Sequence, residues 1–463
     1  MPDGPAATWS VADLLEAFAT RAISPVEVAT EMLGRIAAYD DSLHGFLALD
    51  HDATLAQARR AETAYGRGDR APLLGIPISI KDAFHVDGLP TTFGSLLYGG
   101  SPERADSGAV RRLRAAGAVF TGKTNTAEFG QSATTDNRLG PDSANPWDTT
   151  RTPGGSSGGA AISVAVAMST LALGSDGGGS IRIPAALCGV FGIKPTRGLC
   201  ADEGGLQAMT DFVSPGPLAW TAADARPMLE VLSERRYPRR TPRPLVIGYD
   251  PRPEGRALEP AIRQALDETA RRLEELGHRI EPIELPLDGW SEIFGPLVLE
   301  DEGRERGYLL EHADRLTSYE RRSLEAAMRL EPEAVETARH ALPIYRQRIS
   351  DVFLDVDAVL TPAVAVRAFE LGTRPREIDG DPVDALWGAF PFAAPFNVAG
   401  TPAASVPCAI VDGLPIAAQL VAPAHTESLL LDLAQDLEEA LALDRSAVRS
   451  AWATTRLADP ERA

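Results

Sequence analysis

Two serines and one lysine lie in segments that could support nucleophilic catalysis. Ser156 lies in the glycine loop PGGSSGG, Ser180 ends the run GSDGGGS, and Lys81 follows the apolar run GIPISI. A serine hydroxyl is a weak nucleophile at neutral pH and needs an adjacent base. A buried lysine can supply that base because burial lowers its pKa. Successive glycine amides can form an oxyanion hole.

The lysines of this chain are few and close together. Lysine and arginine together number 45, yet only three are lysines: Lys81, Lys123 and Lys194. Arginine stays charged, whereas lysine can lose its proton when it is buried. We therefore expect the active site in the stretch 81–194. We interpret Lys123 and Lys194 as structural residues bonded to backbone carbonyls, or as charges that depress the pKa of Lys81.

One motif in this stretch is misleading. The segment from Gly117 to Thr124 matches the phosphate-binding pattern GxxxxGK[ST] letter for letter. A P-loop needs a strand before the first glycine and a loop after it. Here the preceding RRLRAAG is typical of a helix, and the residues between the glycines are strand-like. The pattern favours a strand that ends in a turn over a nucleotide site.

The loop PGGSSGG also contains G-x-S-x-G, the nucleophile elbow of α/β-hydrolases. That mechanism needs a histidine downstream, and the candidates are His278, His312, His340 and His425. The turn-rich segment NPWDTTRTPGG stands where an apolar strand should precede the elbow, and no HGGG motif is present. This alternative is weaker but stays open.

The order of the motifs is more specific than any one of them. Along the chain come IPISIKD, GKTN, PGGSSGG, GSDGGGSIRIPA and GIKPT, with Ser156 and Ser180 24 residues apart. This series closely resembles the amidase signature family. FNVAGTPAASVPC and GLPIAAQLVAP resemble the C-terminal strands of that family. The resemblance covers most of residues 8–442 and is weakest over 286–355.

The resemblance implies a Ser–cis-Ser–Lys triad. Ser180 is expected to be the nucleophile, Ser156 the bridging serine and Lys81 the base. The bond between Gly155 and Ser156 is expected to be a cis peptide. The amides of a four-residue run would hold the oxyanion: Gly177, Gly178, Gly179 and Ser180. In one departure, Gly177 stands where the family often has Thr.

Other residues near the two serines are expected to support the site. Asp176 and Arg182 flank the nucleophile and would brace its loop as a buried pair, and Ser157 would support the loop of Ser156. We expect the rim of the substrate pocket to follow the GKTN strand, at Gly130, Gln131 and Ser132. No cofactor or metal is expected, because no pair of His or Cys has metal-ligand spacing.

The secondary-structure pattern predicts an α/β fold: a large mixed, mostly parallel β-sheet flanked by helices on both faces, with a helical insert. Ser10 and the pair Ser24-Pro25 are typical helix starts, and Asp412-Gly413 is a hairpin signal. We expect a single domain over 1–463, with four parts: N-terminal helices in 8–65, a catalytic core in 66–240, a helical insert or cap in 286–355, and a return to the sheet in 356–463.

Composition limits the remaining classes of protein. Hydrophobic residues make up 44% and charged residues 24%, which is ordinary globular composition. The net charge of −20 disfavours nucleic acid and anionic membranes as partners, and no apolar run is long enough to span a bilayer. Three cysteines and no apparent signal peptide favour the cytoplasm. A homodimer is the default expectation for a soluble enzyme.

The sequence therefore predicts serine-dependent hydrolysis of a C–N bond in a small-molecule substrate. An amide, an aryl amide or a carbamate (urethane) would all suit this chemistry, with esterase side activity. The alternative is an amidotransferase subunit that delivers ammonia to a partner chain. A P-loop nucleotide binder is less favoured.

Overall fold

The computed structural model describes residue 2, residues 4–240 and residues 243–453. These residues contain thirteen strands: β1 (Phe46–Ala48), β2 (Pro77–Lys81), β3 (Val119–Thr124), β4 (Leu171–Asp176), β5 (Phe191–Lys194), β6 (Ser214–Ala219), β7 (Val246–Tyr249), β8 (Arg279–Pro282), β9 (Ala358–Pro362), β10 (Glu377–Ile378), β11 (Asp381–Pro382), β12 (Ala403–Val411) and β13 (Leu414–Val421). Eleven of them form one sheet, in the order β1-β3-β2-β4-β6-β5-β12-β13-β9-β7-β8, and β10 pairs with β11.

The same residues contain fourteen α-helices: α1 (Val11–Thr20), α2 (Pro25–Leu43), α3 (His51–Gly66), α4 (Gly108–Ala115), α5 (Gly158–Ala165), α6 (Arg182–Cys188), α7 (Ala222–Ser233), α8 (Pro260–Glu275), α9 (Trp290–Arg306), α10 (Ser318–Ala327), α11 (Pro332–Val352), α12 (Ala394–Ala399), α13 (Glu427–Leu441) and α14 (Ser446–Ala453). Within the described ranges, none of the helices has the length and apolar character needed to cross a membrane.

The large sheet is mixed, as predicted, but the expected parallel majority is wrong. Six of its ten strand pairings are antiparallel. Parallel pairing is confined to β3-β2-β4 on one side and β9-β7-β8 on the other. The crossover helix α6 does connect β4 to β5, but β6 lies between those strands, antiparallel to both. Alternating strands and helices therefore do not imply neighbouring parallel strands here.

Helices cover both faces of the sheet. Successive residues of a strand point to opposite faces, so a single strand packs against helices on both sides. In β4, Leu171 and Leu173 belong to a core cluster that includes residues of α4 and α7. Ala172, between them, belongs to a second cluster with α2 and α5. All eight residues of α5 are buried, so the loop that precedes this helix is held in the interior.

The local signals at helix starts and at the hairpin are confirmed. The Ser10 hydroxyl accepts a hydrogen bond from the amide of Asp13, and Ser24 forms a capping box with Glu27 in front of Pro25. Asp412 and Gly413 have φ values of 51° and 75° between β12 and β13, as a tight two-residue hairpin requires.

The segment predicted as a helical insert is helical. It contains α9, α10, α11 and a 3-10 segment at Gly307–Arg315, with no strand between residues 286 and 355. The helices α9 and α11 pack against each other and against α12. Their apolar side chains share a core cluster with Phe212 and with residues of β9 and β13. This layer places aromatic residues close to the loop that follows β4.

Candidate active site

The site lies where the neighbouring parallel strands β2 and β4 end. Lys81 is the last residue of β2, and Ser175 is the last but one of β4. Lys81 is only 1% exposed. Its Nζ donates to Ser156 Oγ at 2.7 Å and to Ser175 Oγ at 2.9 Å. The structure therefore brings the predicted base and the predicted bridging serine into direct contact.

The alternation of β2 directs the lysine toward the loop of Ser156. Ile78 and Ile80 belong to the core cluster on one face of the sheet. Ser79 points to the other face, where its Oγ lies 2.8 Å from Ser163 Oγ of α5. Lys81 is two residues farther along the strand and points the same way. The run GIPISI thus places an amine beside the N-terminus of α5.

Ser156 lies in the loop immediately before α5. The peptide bond between Gly155 and Ser156 is cis, as the family resemblance implied. Thr135 holds this loop from the side. Its hydroxyl donates to the carbonyl of Gly154 at 2.8 Å and accepts from the amide of Gly158 at 3.0 Å. A residue outside the glycine motif thus fixes the backbone on both sides of the serine.

We expect Gly155→Ala to lower the free energy of unfolding by about 1–3 kcal/mol, as overpacking of a full interior does. A β-carbon on Gly155 would lie 2.5 Å from the backbone carbonyl carbon of Thr134, which cannot move aside as a flexible side chain can. Gly140→Ala is the matched control, because a β-carbon there meets nothing within 4 Å. Urea denaturation of both variants is the measurement, and equal midpoints would contradict the steric argument.

Ser180 lies in the short loop between β4 and α6. With Lys81, Ser156 and Ser175 it lines a cavity of about 310 Å³. Its carbonyl accepts a hydrogen bond from the amide of Ser157 at 3.2 Å, so the backbone joins the two serine loops. Among the described residues its hydroxyl has no hydrogen-bond partner. The predicted nucleophile, bridging serine and base thus face one cavity.

The four amides assigned to the oxyanion hole are not equivalent. The amide of Gly179 donates to Asp176 Oδ1 at 2.7 Å, so it is already engaged. The amides of Gly177, Gly178 and Ser180 have no acceptor in the described part of the chain. The loop therefore offers three donors rather than four.

Gly177, the departure from the family pattern, has a neighbour that explains it. A β-carbon at this position would lie 2.5 Å from Met209 Sδ. The thioether of Met209 thus occupies the volume that a threonine side chain would need. The glycine at position 177 therefore leaves room for the side chain of Met209 and does not leave an empty gap.

Asp176 and Arg182 form the predicted buried pair. Both side chains are 0% exposed, and Arg182 Nη2 lies 2.9 Å from Asp176 Oδ1. Burial alone would raise the pKa of Asp176, but the guanidinium of Arg182 outweighs it and holds that pKa well below the usual range. Arg182 also donates to Asn397 Oδ1 and to Gln419 Oε1. The loop that carries Ser180 is thus tied to α12 and to β13.

The ionisation of Lys81 suits a proton acceptor. Burial lowers its pKa to about 7, although the carboxylate of Asp176 opposes the shift. At neutral pH a substantial fraction of this amine is therefore unprotonated and can accept a hydrogen bond or a proton. The environment that a general base requires is present at the residue to which the motif assigned that role.

Lys194 has a structural environment. Burial and the charge of Arg182 lower its pKa to about 7, against the opposing effects of Asp176 and Glu427. Its Nζ donates to two backbone carbonyls, those of Pro195 at 3.0 Å and Thr401 at 2.6 Å. The predicted bonds to carbonyls are confirmed for this lysine.

The buried position and the ion pair of Lys123 exclude a phosphate-binding loop at this motif. It lies within β3, is 0% exposed and forms an ion pair with Asp82 Oδ1 at 2.6 Å. It also donates to the Pro90 carbonyl at 3.2 Å and to Thr91 Oγ1 at 2.9 Å. A P-loop lysine must be free to reach phosphates from a loop, so the P-loop hypothesis is wrong.

A second and larger cavity, of about 830 Å³, also reaches Ser180. It is lined by Gly130, Gln131 and Ser132, the residues predicted for the pocket rim. No histidine lines either cavity that contains Ser180. All seven histidines of the chain lie in the described ranges, so no Ser–His pair forms here and the nucleophile-elbow alternative is wrong.

Sequence reasoning missed several residues of the site. Ser175 could have been found, because it lies inside the motif GSDGGGS and β4 lies beside the strand of Lys81. The amide side chains that hold Arg182 gave no local signal, since Asn397 and Gln419 lie far from it along the chain, at sequence separations of 215 and 237. Met209 likewise carries no motif.

Comparisons with known proteins agree with this arrangement. The model of the Amidase family matches residues 27–431. "Putative amidase AmiA2" of Mycobacterium tuberculosis (strain ATCC 25618 / H37Rv) is 36% identical, over 96% of this chain and 94% of that protein. A glutamyl-tRNA(Gln) amidotransferase chain of Thioalkalivibrio sulfidiphilus (strain HL-EbGR7) is 31% identical, over 93% of this chain and 96% of that protein.

A solved structure described as an amidase superimposes on this chain with a TM-score of 0.87 at 31% identity, and covers 93% of this chain and 99% of the solved one. The match therefore extends over the sheet, its helices and the site together. With the family model spanning most of its length, the chain belongs to the amidase signature family.

Proposed function

We propose that this protein hydrolyses C–N bonds of small amide-type substrates through an acyl-enzyme on Ser180. The observation that supports this most directly is the 2.7 Å hydrogen bond from the buried Lys81 to Ser156, in a cavity that Ser180 also lines. A lysine with a pKa lowered to about 7 can act as a base at neutral pH. Neither nucleotide binding nor a histidine-based hydrolase would use that contact.

In the proposed mechanism, neutral Lys81 takes the proton of Ser156 while Ser156 takes that of Ser180. The Ser180 oxygen forms a bond to the substrate carbonyl carbon, and the unengaged amides of the glycine loop hold the oxyanion. Collapse of this intermediate breaks the C–N bond. The proton on Lys81 returns through Ser156 to the departing nitrogen. Water then attacks the Ser180 ester while its proton passes through Ser156 to Lys81, and that proton returns to the Ser180 oxygen as the carboxylic acid is released.

The same steps apply to several substrate classes. A linear amide, an aryl amide, a carbamate and an ester each present a carbonyl carbon with a leaving group that a proton can assist. We propose hydrolysis of an amide, an aryl amide or a carbamate (urethane) as the principal activity, with esterase activity as a side reaction. We propose no cofactor, because the steps need only a base, a nucleophile and amide donors.

We expect purified protein to release arylamine from a panel of N-aryl amides and N-aryl carbamates at neutral pH. Colorimetric detection of the free arylamine measures this and ranks the acyl and leaving groups. A monodisperse protein that turns over no member of the panel would contradict stand-alone hydrolysis. Adding a metal chelator to the same assay is the control, and the proposed mechanism predicts no change.

The amidotransferase relatives support a second candidate, an ammonia-delivering component of a larger enzyme. They include the Thioalkalivibrio sulfidiphilus protein, which matches over 93% of this chain. In that case the protein would release ammonia from a donor amide and need a partner chain for the second reaction. Affinity purification from the source cells decides between them: a stoichiometric partner favours the amidotransferase, and its absence together with turnover of the panel favours the hydrolase.

Location and assembly stay predictions. Three unpaired cysteines, all buried, are compatible with the cytoplasmic setting expected from the sequence. The expected homodimer can be checked by light scattering of the purified protein.

A further inference from the structure

We propose that the two cavities meeting at Ser180 divide the substrate between them: the larger binds an aromatic acyl group and the smaller binds the leaving amine. This inference rests on the proposed function and adds its substrate class, arylacyl amides of small amines. It concerns which side of the scissile bond carries the bulk of the substrate.

The first argument is the position of the proton donor. In the proposed mechanism Ser156 returns a proton to the departing nitrogen, so that nitrogen must lie beside Ser156 Oγ. Ser156 and Lys81 line the smaller cavity, of about 310 Å³, and neither lines the larger one. The substituent on nitrogen therefore extends into the smaller cavity.

The second argument is the aromatic wall of the larger cavity, formed by Trp290, Phe294 and Trp387. The ring of Trp387 lies edge-to-face with the other two, with ring centroids 5.1 Å from Trp290 and 5.6 Å from Phe294. A β-carbon on Gly178 would lie 3.2 Å from Phe294 Cζ and 3.6 Å from Trp387 Cη2. The rings thus abut the loop that would hold the oxyanion, where a group attached to the carbonyl carbon meets them.

The third argument is the partition between the cavities. Met209 lines both, and its sulfur lies in the space opened by Gly177. A group attached to the carbonyl carbon is thus separated from the nitrogen substituent by a side chain. The larger cavity, of about 830 Å³, has more than twice the volume of the smaller one, of about 310 Å³, so it has more room for the bulkier part of the substrate. Aromatic walls favour an aromatic ring in edge-to-face or offset contact.

The test uses two isomeric amides that differ only in which side carries the ring. N-methyl-2-phenylacetamide has an arylacyl group and methylamine as leaving group, whereas N-benzylacetamide has an acetyl group and benzylamine. Both are secondary alkyl amides with similar intrinsic reactivity. We expect kcat/KM to favour the phenylacetyl isomer by about tenfold or more, a selectivity within the range of apolar pockets. A preference for the benzyl isomer would overturn the assignment.

Comparing the selectivity ratio of the two isomers between variants cancels any difference in the intrinsic reactivity of the two amides. Trp387→Ala is expected to lower the selectivity ratio about tenfold, with the loss falling on the phenylacetyl isomer. Ala201→Leu narrows the smaller cavity at an exposed position and should raise the ratio by slowing the benzyl isomer. Tyr308→Ala is the control, because this exposed aromatic side chain lines neither cavity. A Trp387→Ala loss confined to the benzyl isomer would reverse the assignment.

Failure of this inference is distinguishable from failure of the proposed function. Turnover of either isomer that survives in Ser180→Ala contradicts the proposed nucleophile. Turnover that disappears in Ser180→Ala but favours N-benzylacetamide contradicts only the assignment of the cavities. Turnover of neither isomer by a protein that hydrolyses members of the aryl amide and carbamate panel contradicts only the assignment of the cavities, whereas turnover of neither isomer and of no panel member contradicts both.

Discussion

Replacement of Ser180 by alanine is expected to lower kcat/KM for amide substrates by a factor of about 10⁴ or more, as loss of the nucleophile does in other serine hydrolases. The reason is that the nucleophilic hydroxyl must be free of a hydrogen-bond partner and must lie at the substrate cavities. Ser156 Oγ accepts a hydrogen bond from Lys81 Nζ at 2.7 Å, whereas Ser180 lines both cavities and its hydroxyl has no partner among the described residues. Steady-state rates on the best substrate of the panel give the measurement.

A covalent probe makes this prediction independent of the substrate. An aryl sulfonyl fluoride should sulfonylate Ser180 and raise the mass of the wild-type protein by one sulfonyl group, and Ser180→Ala should show no such increase. Ser169→Ala is the matched control, because this serine is buried with its Oγ 2.6 Å from Thr121 Oγ and precedes the opposite end of β4. It should retain activity and labelling. Labelling that persists in Ser180→Ala would assign the nucleophile elsewhere.

The parts of the structure that depend on local chemistry could be predicted from the sequence. Ser10 and Ser24 cap the first two helices because their hydroxyls satisfy amides three residues ahead. Lys81 follows an apolar run that forms the buried strand β2, so its burial could be expected. The order and spacing of the serine motifs indicated the site because each loop is itself a local structure.

The strand neighbours could not be predicted, because pairing depends on distant segments. The strand β6 contains Pro215 and Pro217, and proline within a run argues against a central strand. Both lie in the ladder with β4, opposite Ser175 and Leu173. This strand separates β4 from β5 and produces the antiparallel centre of the sheet. No periodicity in the sequence carries that information.

The engagement of Gly179 could not be predicted for a similar reason. A glycine run offers amides, but which of them are free depends on the side chains that fold back on the loop. Asp176 Oδ1 accepts from the amide of Gly179 because Arg182 and Asn397 hold the carboxylate in place. Asn397 reaches it from α12, 221 residues away in sequence. The count of oxyanion donors is thus a tertiary property.

The pH dependence of kcat/KM should show an inflection near 7 that belongs to Lys81. The general base must be unprotonated, and burial lowers its pKa to about 7. Activity should therefore be full above this pH and fall about tenfold for each pH unit below it. Lys194 has a pKa lowered to about the same value but lines neither cavity. Lys194→Met, checked for folding by its melting temperature, should keep the inflection.

Lys81→Ala should lower kcat/KM by a factor of about 10³, within the usual range for loss of a general base, and should abolish the inflection. A merely structural lysine would also cost activity, so a second readout is needed. Added methylamine should restore part of the rate to Lys81→Ala but none to Ser180→Ala, because its free base can occupy the space left beside Ser156 and accept the proton there. The restored rate should rise with the concentration of unprotonated amine. Rescue that is absent, or that occurs equally in both variants, would show that Lys81 holds the loop rather than moves the proton.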